Sequence, residues 1–249
     1  MNDIIYQKTK GLTNQAMSYC PGCTHGIIHK LVAEVLEEMN LLDHTVGIAS
    51  VGCSVMSYYY FDCDMVQASH GRACAVATGV KRTHPDNIVF TYQGDGDLAS
   101  IGIAETIHAA NRGENITVIF VNNGIYGMTG GQMAPTTLLG KKTTTSPYGR
   151  NVEDHGMPIK IAEMFSTIPR VAYLERLSVG TPQKVKKAKK SIEKAIRYQI
   201  EKKGFTMLEF LSTCPVNWGL TPIDAIKYVE DEMTKYYPLG VFKDVDQNE

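Results

Sequence analysis

The sequence predicts an α/β fold, a mostly parallel sheet with helices on both faces, on three observations. Residues 87–123 read as a strand, a tight turn, a helix and a second strand, a βαβ unit whose connection is expected to be right-handed. Further short apolar runs at residues 45–51, 170–177 and 205–211 alternate with helical patterns, as parallel sheets require. At 249 residues, 43% hydrophobic and 20% charged, the chain has the length and composition of one soluble domain with a substantial core. A net charge of −1 offers no basic field for nucleic acid, no run is apolar and long enough for a membrane helix, and MNDIIYQKTK lacks the apolar core of a secretory signal. These features lead to the expectation of a cytoplasmic protein.

Taken in order, the first informative segment is Tyr19-Cys20-Pro21-Gly22-Cys23-Thr24-His25-Gly26. Behind it Ile27, Ile28, Leu31, Val32, Val35, Leu36 and Met39 recur at helical spacing, so a CxxC loop leads into a helix. A helix N-terminus is expected to lower thiol pKa values and ready them for metal or redox chemistry. By itself the CxxC leaves a redox dithiol, zinc and iron–sulfur open. Residues 45–51 (TVGIASV) read as a strand ending in Gly52-Cys53-Ser54. The aromatic run at 56–61 (MSYYYF) suits contact with a cofactor or another chain, or a plain core segment. His70-Gly71-Arg72 opens an Ala/Val-rich helix to about Arg82, which makes His70 and Arg72 candidate phosphate neighbours or an ordinary helix start.

The stretch 93–132 carries the strongest signal. Residues 87–93 (NIVFTYQ) are β-branched and aromatic, as in a buried strand. Gly94 and Gly96 then allow a tight turn and close approach to a ligand. From Asp97 to about Arg112 the apolar spacing predicts one helix, with Gly113 at its stop. Residues 116–121 (ITVIFV) form the next strand, which ends at Asn122-Asn123. Both ends of interest therefore sit at strand carboxyl ends, where open α/β sheets bind ligands. The helix N-terminus favours an anion such as diphosphate, yet Asp95 would repel a bare phosphate. A divalent cation resolves the conflict, because the Asp95 carboxylate and the Asn123 amide oxygen are hard ligands suited to Mg²⁺. Gly94-Asp95-Gly96, twenty-five residues and then Asn122-Asn123 resemble the thiamine diphosphate motif. That resemblance implies Asp95, Asn123 and the Ile125 carbonyl as Mg²⁺ ligands, with Asp97 helping to line the diphosphate pocket.

Beyond the motif, residues 125–151 are rich in Gly, Thr and Pro with little periodicity. Long irregular loops in compact domains are usually functional or mobile, and this one is expected to face the active site and a partner. The pattern then predicts a helix at 158–168, a strand at 170–177, a basic amphipathic helix at 181–203 with a solvated lysine face, and a strand at 205–211 leading to Thr213-Cys214-Pro215. From about residue 220 a C-terminal helical extension is expected, ending in a polar stretch prone to fray.

Cys20, Cys23, Cys53 and Cys214 fall in loops, three of them at strand ends or before a helix, on what a parallel sheet makes one side. Four thiolates suit Zn²⁺ or a [4Fe-4S] cluster. YCPGCTHG, VGCS, HGRA, YQGDGDLASIG, HAANRGENITVIFVNNGIYGMTGGQ and TCPVNW together resemble the β subunit of a 2-oxoacid:ferredoxin oxidoreductase, over residues 19–218. The resemblance implies a single thiamine diphosphate-binding domain of the diphosphate type over 1–249. It also implies Cys20, Cys23, Cys53 and Cys214 as [4Fe-4S] ligands beside thiamine diphosphate and Mg²⁺, with cofactor contacts from Gly94, Asp95, Gly96, Asp97, Asn123, Ile125, His70 and Gly71. Cys63 and Cys74 fall outside that pattern and read as packed thiols.

The activity implied is oxidative decarboxylation of a 2-oxoacid to acyl-CoA and CO₂, with electrons passing singly through the cluster to ferredoxin. The glutamate that activates the cofactor is expected from a separate α subunit carrying a pyrimidine-binding domain, and γ and ferredoxin-like δ subunits are further expected partners. Ser54, Val55 and Met56 after Cys53 carry no cation, which favours a branched 2-oxoacid such as 2-oxoisovalerate over 2-oxoglutarate. Two alternatives remain at this point: a non-oxidative thiamine-dependent decarboxylase or synthase subunit, and a zinc-stabilised non-catalytic nucleotide-binding module.

Overall fold

The computed structural model describes residues 7–247. In chain order it runs through α1 (His25–Glu38), β1 (Thr45–Ala49), α2 (Ser57–Tyr60), β2 (Asp64–Gln67), α3 (Ala73–Thr83), β3 (Ile88–Gly94), α4 (Ile103–Arg112) and β4 (Thr117–Asn122). The hairpin β5 (Ile125–Tyr126) and β6 (Gln132–Met133) follows, then α5 (Val152–His155), α6 (Ile161–Ser166), β7 (Val171–Ser178), α7 (Pro182–Ile200) and β8 (Phe205–Leu211). The chain closes with α8 (Pro215–Trp218), α9 (Pro222–Tyr228), α10 (Thr234–Tyr236) and β9 (Gly240–Asp244).

Seven strands make one sheet in the order β2-β1-β3-β4-β8-β7-β9. Every neighbouring pair is parallel except β7 with β9. The central strands are apolar on both faces because helices cover both. Phe90, Ile119 and Leu208 point to the side of α1 and α7, packing with Leu31, Val35 and Ile192. Their neighbours Val89, Val118 and Met207 point to the side of α3, α4 and α6, packing with Ala77, Ala109 and Phe165. This period-2 division is what turns a continuous apolar run into two cores.

Four features depart from the sequence reading. The single helix expected over 97–112 is a wide π-type turn, Asp97–Ile101, followed by α4. Gly102 interrupts it because it abuts the start of α3: a Cβ on Gly102 would lie 2.6 Å from the Gly71 carbonyl oxygen. In the aromatic run, Tyr60 and Phe61 enter the core while Tyr58 and Tyr59 stay exposed. The polar DMVQ of β2 forms an edge strand with mostly exposed side chains, which apolar periodicity cannot signal. The C-terminal extension is helical only to Tyr236, and the stretch expected to fray holds β9, which pairs antiparallel with β7. Asp244 anchors it from the buried side by accepting from Tyr198 Oη at 2.6 Å and from Lys194. The basic face of α7 is accordingly not merely solvated, since Lys189 also pairs with Glu34 and Glu38 of α1.

Candidate functional site

Since β1, β3, β4 and β8 are adjacent and parallel, the segments leaving their carboxyl ends share one rim. Cys53 follows β1, Asp95 follows β3, Asn123 follows β4 and Cys214 follows β8. A cavity of about 120 Å³ opens there, bordered by Cys53, His70, Gly94, Asp95, Gly96, Asp97, Asn123 and Ile125, with His25, Tyr126 and Met128 completing the wall.

Asp95 is buried at 3% exposure. Its Oδ1 accepts the Gly96 N–H at 2.8 Å, and its Oδ2 accepts the Ile125 N–H at 3.2 Å and the Thr136 hydroxyl at 3.0 Å. Burial pushes its pKa up to about 6, and the groups that oppose burial are hydrogen-bond donors, Thr136 first, none of them a cation. A desolvated carboxylate without a counter-charge, beside the Asn123 amide oxygen, is a setting that a small hard cation would stabilise. Asn123 Oδ1 and Asp95 Oδ2 share the Ile125 N–H as donor, so the structure brings together the three residues that the motif pairs with Mg²⁺. Gly96 is indispensable locally because a Cβ there would lie 2.0 Å from Tyr126 Cε1. Gly94 is open on the cavity side, its nearest outside atom at 3.9 Å.

Asp97 borders the cavity, but its carboxylate is fully engaged. Oδ1 accepts His70 Nδ1 at 2.6 Å and the Gly71 N–H at 2.7 Å, and Oδ2 accepts Gln93 Nε2 at 2.7 Å. It therefore orients His70 and Gly71 more than it lines the pocket. Gly71 adopts φ +77° and has no room for a side chain against Ile101. Arg72, a candidate phosphate neighbour by sequence, turns instead to Glu105 and is not part of the cavity wall.

The segments that carry the four cysteines are tied together, two of the contacts spanning 188 and 191 residues of sequence. Thr213 Oγ1 donates to the Gly22 carbonyl at 2.6 Å, Thr24 Oγ1 bonds Ser212 Oγ at 2.6 Å, and Tyr19 Oη donates to the Cys53 carbonyl at 3.1 Å. Gly127 sits between two of the sulfurs: a Cβ there would meet Cys214 Sγ at 3.3 Å and Cys53 Sγ at 3.5 Å. The thiol of Cys23 is raised to about 12, first by burial and then by the proximity of Cys53, Cys214 and Cys20. That of Cys53 is raised to about 11, by burial and then by Cys214, Cys20 and Asp95. The activation expected at Cys23 from the helix N-terminus is thus overridden by desolvation. Among the described residues no three His, Cys, Asp or Glu side chains converge tightly enough to hold one metal ion. Cys63 and Cys74 are packed thiols, Cys74 completely buried with its Sγ 3.2 Å from Gln93 Oε1 and Cys63 against the core.

Several site residues carried no recognisable sequence signal. His25, next to the CxxC, is buried with its pKa lowered to about 4 by desolvation, and its Nδ1 bonds Tyr92 Oη at 2.9 Å. Tyr19 stacks on it at 4.7 Å. Its place directly after Cys23-Thr24 was the only hint. Thr136 lies in an irregular segment, Tyr126 in the two-residue strand β5 and Asn217 in the single turn α8, all too short or irregular for periodicity to give an orientation.

Comparison with known proteins places this geometry. The family profile described as "Thiamine pyrophosphate enzyme, C-terminal TPP binding domain" matches residues 50–210. The chain is 45% identical over 240 residues to the ketoisovalerate oxidoreductase subunit VorA of Methanothermobacter thermautotrophicus, covering 96% of this chain and 50% of that protein. It is 36% identical over 251 residues to the 2-oxoglutarate synthase subunit KorB of Methanocaldococcus jannaschii, covering 93% of this chain and 88% of that one. Among solved structures, the 2-oxoglutarate:ferredoxin oxidoreductase of Magnetococcus marinus, with 2-oxoglutarate, coenzyme A and succinyl-CoA bound, superposes with a TM-score of 0.83 at 27% identity. That match covers 99% of this chain and 90% of that one. The chain spans about half the length of the VorA subunit it matches. The thiamine pyrophosphate-binding domain profile, together with relatives at 30% identity or more over most of this chain, assigns the protein to the β-subunit family of 2-oxoacid:ferredoxin oxidoreductases.

Proposed function

We propose that the chain is the cofactor-bearing half of an oxidoreductase that decarboxylates a 2-oxoacid to acyl-CoA and CO₂ and delivers the electrons to ferredoxin. The observation that carries this reading is the shared rim: Cys53 and Asp95 border one cavity, and a Cβ on Gly127 in its wall would lie 3.3 Å from Cys214 Sγ and 3.5 Å from Cys53 Sγ. In this reading Asp95, Asn123 and the Ile125 carbonyl hold Mg²⁺, while Gly94 to Asp97 with His70 and Gly71 receive the diphosphate. Cys20, Cys23, Cys53 and Cys214 hold a [4Fe-4S] cluster. Thiamine diphosphate supplies the carbanion chemistry when bound, and this chain's residues orient it, exclude water and offer the electron exit. The activating glutamate comes from a partner α subunit, so the chain alone decarboxylates nothing.

The wall that this chain contributes contains no Lys or Arg, which leaves a second substrate carboxylate without a cation here. A branched 2-oxoacid such as 2-oxoisovalerate is therefore favoured, in keeping with the names of relatives at 45% identity, and 2-oxoglutarate comes next.

Two measurements test the proposal. Anaerobically purified protein should show broad brown absorbance bleached by dithionite, whereas a colourless protein with one zinc would overturn the cluster. Asp95→Ala should abolish Mg²⁺-dependent thiamine diphosphate binding in calorimetry, and unchanged affinity would remove Asp95 from the site. For the substrate, the purified complex assayed with a panel of 2-oxoacids, coenzyme A and a viologen should prefer branched chains. A preference for 2-oxoglutarate would reverse that order.

A further inference from the structure

We propose that Asn217 is a positioning residue that ties the cysteine site to the wall of the cofactor cavity, and that its side-chain N–H to Cys214 Sγ raises the reduction potential of the cluster held there. The inference rests on the cluster reading above. It concerns a side chain that nothing in the thiamine motif or the cysteine pattern calls for.

Asn217 occupies the single turn α8, whose start is set by Pro215 immediately after Cys214. Its Nδ2 donates to Cys214 Sγ at 3.3 Å and to the Gly127 carbonyl at 3.0 Å. A primary amide nitrogen has two hydrogens, so these two bonds exhaust it. Its Oδ1 lies against Gly131, where a Cβ would approach within 3.0 Å, and the Gly131 N–H in turn donates to the Tyr126 carbonyl at 2.9 Å. One side chain thus fastens a cysteine to the 126–131 loop at Gly127 and packs against its far end at Gly131, and Tyr126, Gly127 and Met128 of that loop line the cavity. A Cβ on Gly127 would also lie 3.3 Å from Cys214 Sγ and 3.5 Å from Cys53 Sγ.

The electronic consequence follows from charge. Reduction adds one electron to the cluster and its thiolates, with no atom transferred, and a donor aimed at a ligand sulfur stabilises the more negative state. Reduction is therefore easier with the amide than without it. Leucine at this position keeps the bulk and loses both bonds. Aspartate keeps the shape, loses the N–H groups and brings negative charge to the sulfur.

The test is an anaerobic, EPR-monitored redox titration of the protein purified with whatever partner chains accompany it, following the signal that Cys214→Ala removes. In Asn217→Leu the reduced-to-oxidised ratio at a fixed potential should fall about tenfold, equivalent to a midpoint about 59 mV lower for a one-electron couple. Asn217→Asp should fall further. A midpoint unchanged in Asn217→Leu at full iron content would overturn the inference. If the substituted proteins fail to retain the cluster, unsubstituted protein labelled with ¹⁵N in the asparagine side-chain amide decides by pulsed EPR. A ¹⁵N coupling to the reduced cluster supports the bond, and its absence overturns it. Absence of any cluster from the unsubstituted protein would be a different result, sinking the functional reading beneath it.

Discussion

Asp95 shows how one residue's setting acquires chemical meaning. A carboxylate at 3% exposure, stabilised only by neutral donors, carries a desolvation cost that an ordinary turn aspartate avoids. The neighbouring Gly96 is constrained by shape, because the Tyr126 ring occupies the space of its missing side chain. Gly96→Ala should displace Tyr126 from the cavity wall and weaken thiamine diphosphate binding about tenfold, or about 1.4 kcal/mol, while the protein remains folded. Calorimetry with Mg²⁺ present measures this, and an unaltered dissociation constant would mean that the ring moves aside at no cost. The glycine was legible in the sequence through the motif. Its tyrosine partner, thirty positions on, was not, since nothing in the spacing says which loop side chain folds back.

At the scale of elements, the loop over 125–151 is the largest revision. The sequence offered an irregular Gly/Thr/Pro tract. The structure organises it around Arg150, which is 5% exposed and donates to the carbonyls of Ala134, Pro135, Thr137, His155, Gly156 and Met157 at 2.8–3.2 Å. Thr136 in the same loop reaches Asp95, and Thr137 reaches the Gly124 carbonyl at 2.6 Å. A lone arginine thereby sets the form of the segment that closes over Asp95. Arg150→Leu strands several buried acceptors and should cost about 3 kcal/mol of stability. Denaturant melts read the loss, with faster proteolysis within the loop, and a loss below about 0.5 kcal/mol would show that the loop holds its shape without the arginine. Strands were easier to foresee than this loop, because an apolar run of five to seven residues has few other uses, whereas hydrogen bonds to carbonyls leave no periodic trace.

At the scale of the molecule, parallel pairing does the assembling. Strands β4, β8 and β7 carry a buried network beneath the rim: Asn122 donates to Glu209 at 2.8 Å, Glu209 accepts from Arg176 Nε at 2.9 Å, and Arg176 also pairs with Glu163. The Asn122 side chain in turn accepts the Gly124 N–H at 3.2 Å, so the network reaches the Asn-Asn turn itself. At the sheet's edge, Asp244 holds β9. Its burial raises the carboxyl pKa, but Lys194 and Tyr198 outweigh burial and leave it below the ordinary aspartate value of 3.8. A depressed folded-state pKa means that its stabilisation is complete above the unfolded value and is lost as pH falls through the folded one. Asp244→Asn should therefore cost about 2 kcal/mol at neutral pH and flatten the stability profile below about pH 4. Thermal melts between pH 2 and 7 check this, and a parallel offset at every pH would show that the charge of Asp244 is not what anchors the strand.

What the sequence determined by itself is whatever lies within a short reach along the chain. The βαβ unit, the Gly-Asp-Gly turn, the Asn-Asn strand end and the CxxC before α1 all follow from side-chain period and local backbone freedom, and each emerged close to its expected place. Only the tertiary structure decided that the Cys20–Cys23 loop is tied through Gly22 to Thr213 beside Cys214, that Arg72 turns to Glu105, that Asp97 accepts from His70, and that Asn217 bridges a cysteine to the cavity wall. Those outcomes depend on which strands become neighbours and how side chains pack at their ends. Burial then reverses a local tendency, as it does for the thiol of Cys23, because the desolvation of a charge outweighs the pull of a helix end.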